Sequence, residues 1–186
     1  MSQNQIRRDL PGAATPGSSE ATRIRSYLQT QAAKLSLPDL STKVRTDMEQ
    51  FKASLFAAPA DKLTQRPSES DWSVNEVAAH LLQVSESVSR AIQSVLDSGA
   101  LPPSIADQMR RTDEVKTARE WWSLLLTDRE VTIERVSRAT GDEHLDVKWD
   151  HGVFGELNWR EWLLFMRVHD LDHARQILSV SEAVSA

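Results

Sequence analysis

Four stretches of this chain repeat apolar residues at spacings of three and four, the period of an α-helix with one buried face. Val44, Met48, Phe51 and Leu55 form the first stripe; Val77, Leu81, Val84, Val88, Ala91 and Val95 the second. Trp122, Leu125, Leu126, Ile133 and Val136 form the third, and Trp162, Met166, His169, His173, Ile177 and Val180 the fourth. Stripes of this kind must be buried against one another, and no series of alternating strands competes with them, so the chain is expected to fold as an all-α four-helix bundle.

Start and stop signals bound the helices. Ser73 with Glu76, Thr117 with Glu120 and Asn158 with Glu161 have the spacing of a capping box. Trp72 with Val77 and Leu157 with Trp162 can staple the chain as it enters two of these helices. Gly99, followed by Pro102 and Pro103, closes the second stripe, and Gly141 closes the third. A weaker helical pattern from about Ala21 to Lys34 precedes Pro38, which interrupts it. Residues 104–116 read as a polar crossover, and residues 142–157 as a long connection in which Leu145, Val147 and Trp149 alternate as a short extended piece. Connections of this length imply at least one crossover. Pro11, Gly12, Pro16, Gly17, Ser18 and Ser19 mark residues 1–20 as a flexible tail, leaving residues 21–186 as one helical domain.

Composition narrows the chemistry. The net charge of −5 and scattered basic residues argue against nucleic acid or an anionic membrane surface as partner. No apolar run approaches the ~20 residues of a membrane span, and the polar N-terminus does not read as a secretory signal, so cytoplasmic residence is the expectation. The chain has no cysteine, so any metal must be held by nitrogen and oxygen.

His169 and His173 stand one turn apart near the centre of the fourth stripe. Two imidazoles on an inward face need partners, and one divalent ion supplies a partner for both. His80 lies on the flank of the second stripe, about 60° from its centre, and is the natural third ligand. The plainer alternative is a set of core-edge histidines bonded to backbone carbonyls or carboxylates. His144 and His151 fall in the long connection, where exposed or structural roles are expected. Asp170 and Asp172 flank the histidine stripe by about 80°. Either can orient a histidine or act as a base, but the simpler reading is a solvated flank paired with Arg167 or Arg175.

The block Asp71-Trp72-Ser73-Val74-Asn75-Glu76-Val77-Ala78-Ala79-His80-Leu81, followed by His169-Asp170-Leu171-Asp172-His173-Ala174-Arg175-Gln176-Ile177, resembles the DinB-like superfamily. The segment from His151 to Trp159 also resembles the loop before that family's fourth helix, with Gly152 where proline is more common. The resemblance covers roughly residues 40–180. It implies the family's bundle connectivity and a divalent metal, zinc or nickel, held by His80, His169 and His173. It also implies open coordination positions, and a homodimer as the expected assembly. Relatives of this fold include bacillithiol transferases, mycothiol-dependent isomerases and metal-dependent hydrolases. The family name refers to induction by DNA damage and carries no implication of DNA binding.

The expected function is therefore a transferase or hydrolase that activates a thiol cosubstrate or water against a small-molecule electrophile. The rival is a non-catalytic metal-binding or stress-associated bundle. An open site beneath a pocket lined by Trp122, Trp149 or Trp162 would favour the first; closure by a fourth protein ligand would favour the second. Other hydrolytic readings fare worse. His169-Asp170-x-x-His173 has an aspartate, one methylene shorter, where the His-Glu-x-x-His of zincins has its glutamate, and neither a Gly-x-Ser-x-Gly elbow nor a Gly-rich phosphate loop occurs.

Overall fold

The computed structural model describes residues 15–102 and 112–186. Most of the 104–116 crossover and most of the 1–20 tail lie outside them. Within them are five helices, α1 (Ser19–Lys34), α2 (Leu37–Ala57), α3 (Val74–Ser98), α4 (Ala118–Ser137) and α5 (Trp159–Ser185), with strands β1 (Lys148–Asp150) and β2 (Glu156–Asn158) ahead of α5. Helix α1 starts at Ser19, where Ser18 caps it by accepting from the Ala21 amide, so residues 18–20 of the segment expected to be a tail form the start of a helix.

The bundle is made by α2 to α5. Helix α2 packs on α5 and α4, and α3 packs on α5 and α4. Round the bundle the order is therefore α2, α5, α3, α4, which sets α2 diagonally opposite α3 and α4 diagonally opposite α5. This order explains two of the long connections. The chain must cross an end of the bundle over residues 58–73 and again over residues 138–158, and minimal hairpins cannot make those diagonals. Pro38 falls within the first turn of α2, where its missing N–H is harmless; the break comes at Leu35 and Ser36.

All three capping boxes form. Ser73 Oγ accepts from the Glu76 amide at 3.3 Å while Glu76 Oε2 accepts from the Ser73 amide at 2.9 Å. Arg66 forks onto the same carboxylate at 2.6 and 2.9 Å. Burial opposes the charge on Glu76, but Arg66 and Ser73 together hold its carboxyl below the usual range. The pair anchors the 58–73 connection at the start of α3. Gly99 ends α3 in the left-handed region, with a φ of 69°, and the ring of His144 packs so close that a Cβ there would collide with it. His144 is thus a packing residue at the end of α3.

Helix α5 is the central rod, with α1, α2, α3 and the strand pair around it. Arg160 fixes α1 to its start by donating to Ala32 O, Leu35 O and Gly141 O at 2.9, 2.5 and 2.7 Å. The extended piece before α5 is a β-hairpin, with Trp149 opposite Leu157 in an antiparallel pair. Leu145 and Val147 precede its strand rather than forming it. Gly152 and Gly155 turn the hairpin at φ values of 78° and 73°, which folds residues 151–155 back toward α5. On α4 the stripe runs through Leu125; Leu126, expected beside it, is 37% exposed and faces a cleft of about 790 Å³ between α2 and α4.

Candidate metal centre

The bundle order places the inward face of α3 against the inward face of α5, and the two histidine segments meet there. His80 comes from the second turn of α3, whose entry is fixed by the Ser73–Glu76 box. Its ring centroid lies 5.3 Å from that of His169 and 5.0 Å from that of His173; the two α5 rings are 4.3 Å apart. One nitrogen from each ring lies within 4.8 Å of the others. His80 and His173 are each 4% exposed, and His169 is half-buried.

Hydrogen bonding orients the donors. His173 Nδ1 lies 2.7 Å from Gln176 Oε1. A carbonyl oxygen only accepts, so Nδ1 carries the proton and Nε2 presents its lone pair. That lone pair points at His169 Nε2, 3.0 Å away. Two nitrogens in this position need a proton or a cation between them. Nitrogens bound to one ion at ~2.0–2.1 Å are separated by about 3 Å when they subtend roughly a right angle, so the donors fit a shared divalent metal. Burial, reinforced by the neighbouring His173, His80, Arg129 and His151, holds His169 well below the usual imidazole range. Burial also lowers His173, against the opposing effects of Gln176 and Asp172. Both rings are thereby kept neutral, the form that binds metal.

Aromatic side chains wall the cluster. Trp72 meets His80 edge-on at 5.3 Å. Phe165 lies 5.3 Å from His169 and 4.2 Å from His151, which also packs on Phe154 and Trp162. Trp149 stacks on Trp162 at 5.2 Å and is one layer further out. Trp122 is elsewhere, beneath Lys52 on the α2 side of α4. The cleft between α2 and α4 contains none of the three histidines.

Asp170 departs from its expected solvated flank. It is 0% exposed and accepts from Arg129 of α4 through both oxygens, at 2.8 and 3.2 Å. The flank of α5 is interior because neighbours surround this helix. Arg167 bonds instead to Asp47 of α2 and to Tyr27 of α1. Asp172 is partly buried, with its carboxyl pushed up by burial, and Arg175 is exposed. Gln176 and Arg129 escaped the sequence reading. The signal for Gln176 was its place three residues beyond His173. For Arg129 it was a charge on the buried stripe of α4, between Leu125 and Val136.

These features define a class: a helical bundle whose two inward faces join three histidines into a group able to hold a metal ion. The sequence model of the DinB superfamily matches residues 41–177, and the chain belongs to that superfamily. It is similar to the uncharacterized protein YuaE of Bacillus subtilis (strain 168), with 23% identity over 139 residues, 67% of this chain and 86% of YuaE. It shares its fold with TT2238, described as a four-helix bundle protein, at a TM-score of 0.58 and 22% identity, over 77% of this chain and 99% of that one. Helix α1 precedes the matched region.

Proposed function

We propose that this protein is a divalent-metal enzyme whose three histidines hold zinc or nickel and whose open coordination positions activate a nucleophile against a small electrophile. The carrying observation is the facing pair of ring nitrogens 3.0 Å apart, one of them deprotonated by its bond to Gln176, with His80 closing the group from α3. Among the described residues the group contains three donors, which leaves room for an external ligand, as catalytic zinc sites do. A bound divalent ion supplies one chemical effect: it lowers the pKa of a coordinated thiol or water toward neutrality.

The chain's own residues do the rest. His80, His169 and His173 bind, and Gln176 fixes the tautomer of His173. Trp72 and Phe165 exclude water from the rings they touch. Asp170 is committed to Arg129 and is excluded as a general base, so the zincin mechanism has no acid–base residue here. With no cysteine in the chain, a thiol nucleophile comes from a low-molecular-weight cosubstrate. The substrate is a small molecule, and the chain acts in the cytoplasm, as a homodimer. No helix among the described residues is long and apolar enough to cross a membrane.

The test has two stages. Purified protein is assayed for bound metal, then the zinc and nickel forms are screened with several thiols, and with none, against activated esters and alkylating electrophiles. Metal-dependent turnover that requires one thiol supports the transferase form, and thiol-independent turnover the hydrolase form. Stoichiometric metal with no turnover in any combination overturns the enzyme in favour of a non-catalytic metal-binding bundle, a reading that the deep burial of His80 and His173 favours.

A further inference from the structure

Arg129 is the one arginine or lysine buried to this degree among the described residues, at 1% exposure. It comes from α4, a helix that supplies no member of the histidine group. It crosses the bundle diagonal to reach α5, forking onto Asp170. Its Nε donates to Ser85 Oγ of α3 at 2.7 Å. Ser85 in turn donates to Asp128 Oδ2 of α4 at 2.5 Å, and Ser89 donates to the same oxygen at 2.8 Å. One guanidinium therefore ties together three helices, including both helices that carry histidines. Asp170 is bonded to His169 in sequence and lies one turn before Ala174, so a grip on Asp170 is a grip on the rotation of α5 at the histidine pair.

We propose that Arg129 is a positioning residue for the metal centre: by clamping Asp170 of α5 and Ser85 of α3 it sets the rotation at which His169 and His173 meet His80. The proposal rests on the reading of the three histidines as a metal site. The physical reason is leverage. A side-chain tip stands about 5–6 Å from its helix axis, so a turn of about 20° moves it about 2 Å. Metal–ligand bonds tolerate only ~0.2 Å. Apolar burial is non-directional and names no angle by itself. A forked, two-bond contact has a preferred direction and does. The design is consistent with the other polar grips on α5, Arg167 to Asp47 and Arg160 to the end of α1.

The experiment compares zinc affinity, measured by competition with a chromophoric chelator, and the visible spectrum of the cobalt form. It uses the wild type, Arg129→Lys, and the double variant Arg129→Met/Asp170→Leu. The double variant replaces both charges with apolar groups of similar size, which buried ion pairs often tolerate without loss of stability. Arg129→Lys keeps the charge and loses the fork and the Ser85 bond. We expect a folded, cooperatively melting double variant whose zinc affinity is lower by about 10–100-fold, the range for residues that orient metal ligands. Its cobalt spectrum should be altered, with Arg129→Lys intermediate on both measures. A folded double variant with wild-type affinity and spectrum overturns the clamp while leaving the metal site standing. If the double variant does not fold, Arg129→Lys decides, and unchanged affinity and spectrum there overturn it. A wild type that binds neither zinc nor cobalt overturns the metal site itself, and the clamp with it.

Discussion

Helix α5 contains two stretches that share neighbours and differ in kind. From Trp159 to Met166 it is buried almost all round by apolar side chains, with Trp159, Leu163 and Leu164 fully enclosed. From His169 to His173 the interior side chains are two imidazoles and a carboxylate. Each buried apolar side chain of the first stretch contributes roughly 1.5–3 kcal/mol whatever apolar surface it meets. The second stretch contributes only when its partners are in place: Arg129 for Asp170, Gln176 for His173 and, on the proposed reading, a shared cation for the ring nitrogens. The first stretch is therefore the part of the helix that stabilises the fold. The second is the part the fold holds in position.

The sharpest way to break this contrast is to remove one partner from the polar stretch. Asp170→Ala leaves a buried guanidinium without its counter-charge and should lower stability by about 3–5 kcal/mol in urea unfolding of the metal-free protein. A change within 1 kcal/mol would mean that Arg129 finds another partner or water. Next in size are the histidines. With free zinc at about 1,000 times its dissociation constant, binding should stabilise the wild type by about 4 kcal/mol. His80→Ala, His169→Ala and His173→Ala should each lose nearly all of that increment. Equal zinc stabilisation in all three variants would remove the site.

The apolar stretch should respond in the opposite pattern. Leu163→Ala is expected to lower stability by about 3 kcal/mol, within the range for buried leucines, while zinc affinity of the folded variant stays within about threefold of wild type. A large loss of affinity would show that the two stretches are one unit.

The smallest and most gradual effect is that of pH on the metal-free protein. His169 and His173 sit below the usual imidazole range, so below about pH 6.5 the unfolded chain takes up protons that the native state refuses. Stability then falls with pH, by at most about 1.4 kcal/mol per unit for each ring. Asp170 works the other way. Its carboxyl is pushed up to about 6 by burial, against Arg129, so the native state binds its proton first and gains stability as pH falls below that value. Urea midpoints between pH 7.5 and 5.5 should therefore fall more steeply for the wild type than for a His169→Ala/His173→Ala variant. Parallel slopes would mean that the two rings are protonated in the native state.

Much of this was legible along the chain, and particular residues show why. Ser73 with Glu76 and Asn158 with Glu161 are contacts over three residues, so their spacing alone predicts them. The histidines could be nominated because each lies on or beside an apolar stripe, a local property of one helix. Asp170 was misplaced because its surroundings are not local: a flank is solvent or interior according to how many neighbours a helix has. Leu125 and Leu126 are both apolar, and only the position of α2 decides that one is enclosed and the other faces a cleft.

What the amino-acid order settled unaided were the helices, their caps, the donor chemistry and the two inward faces that carry it, because hydrogen-bond spacing and amphipathic period act over a few residues. The diagonal order of the bundle, the meeting of α3 with α5, and the reach of Arg129 across the centre were decided by packing. Those contacts join residues some forty to ninety positions apart, and no periodicity in a single helix encodes which face of which neighbour it will meet.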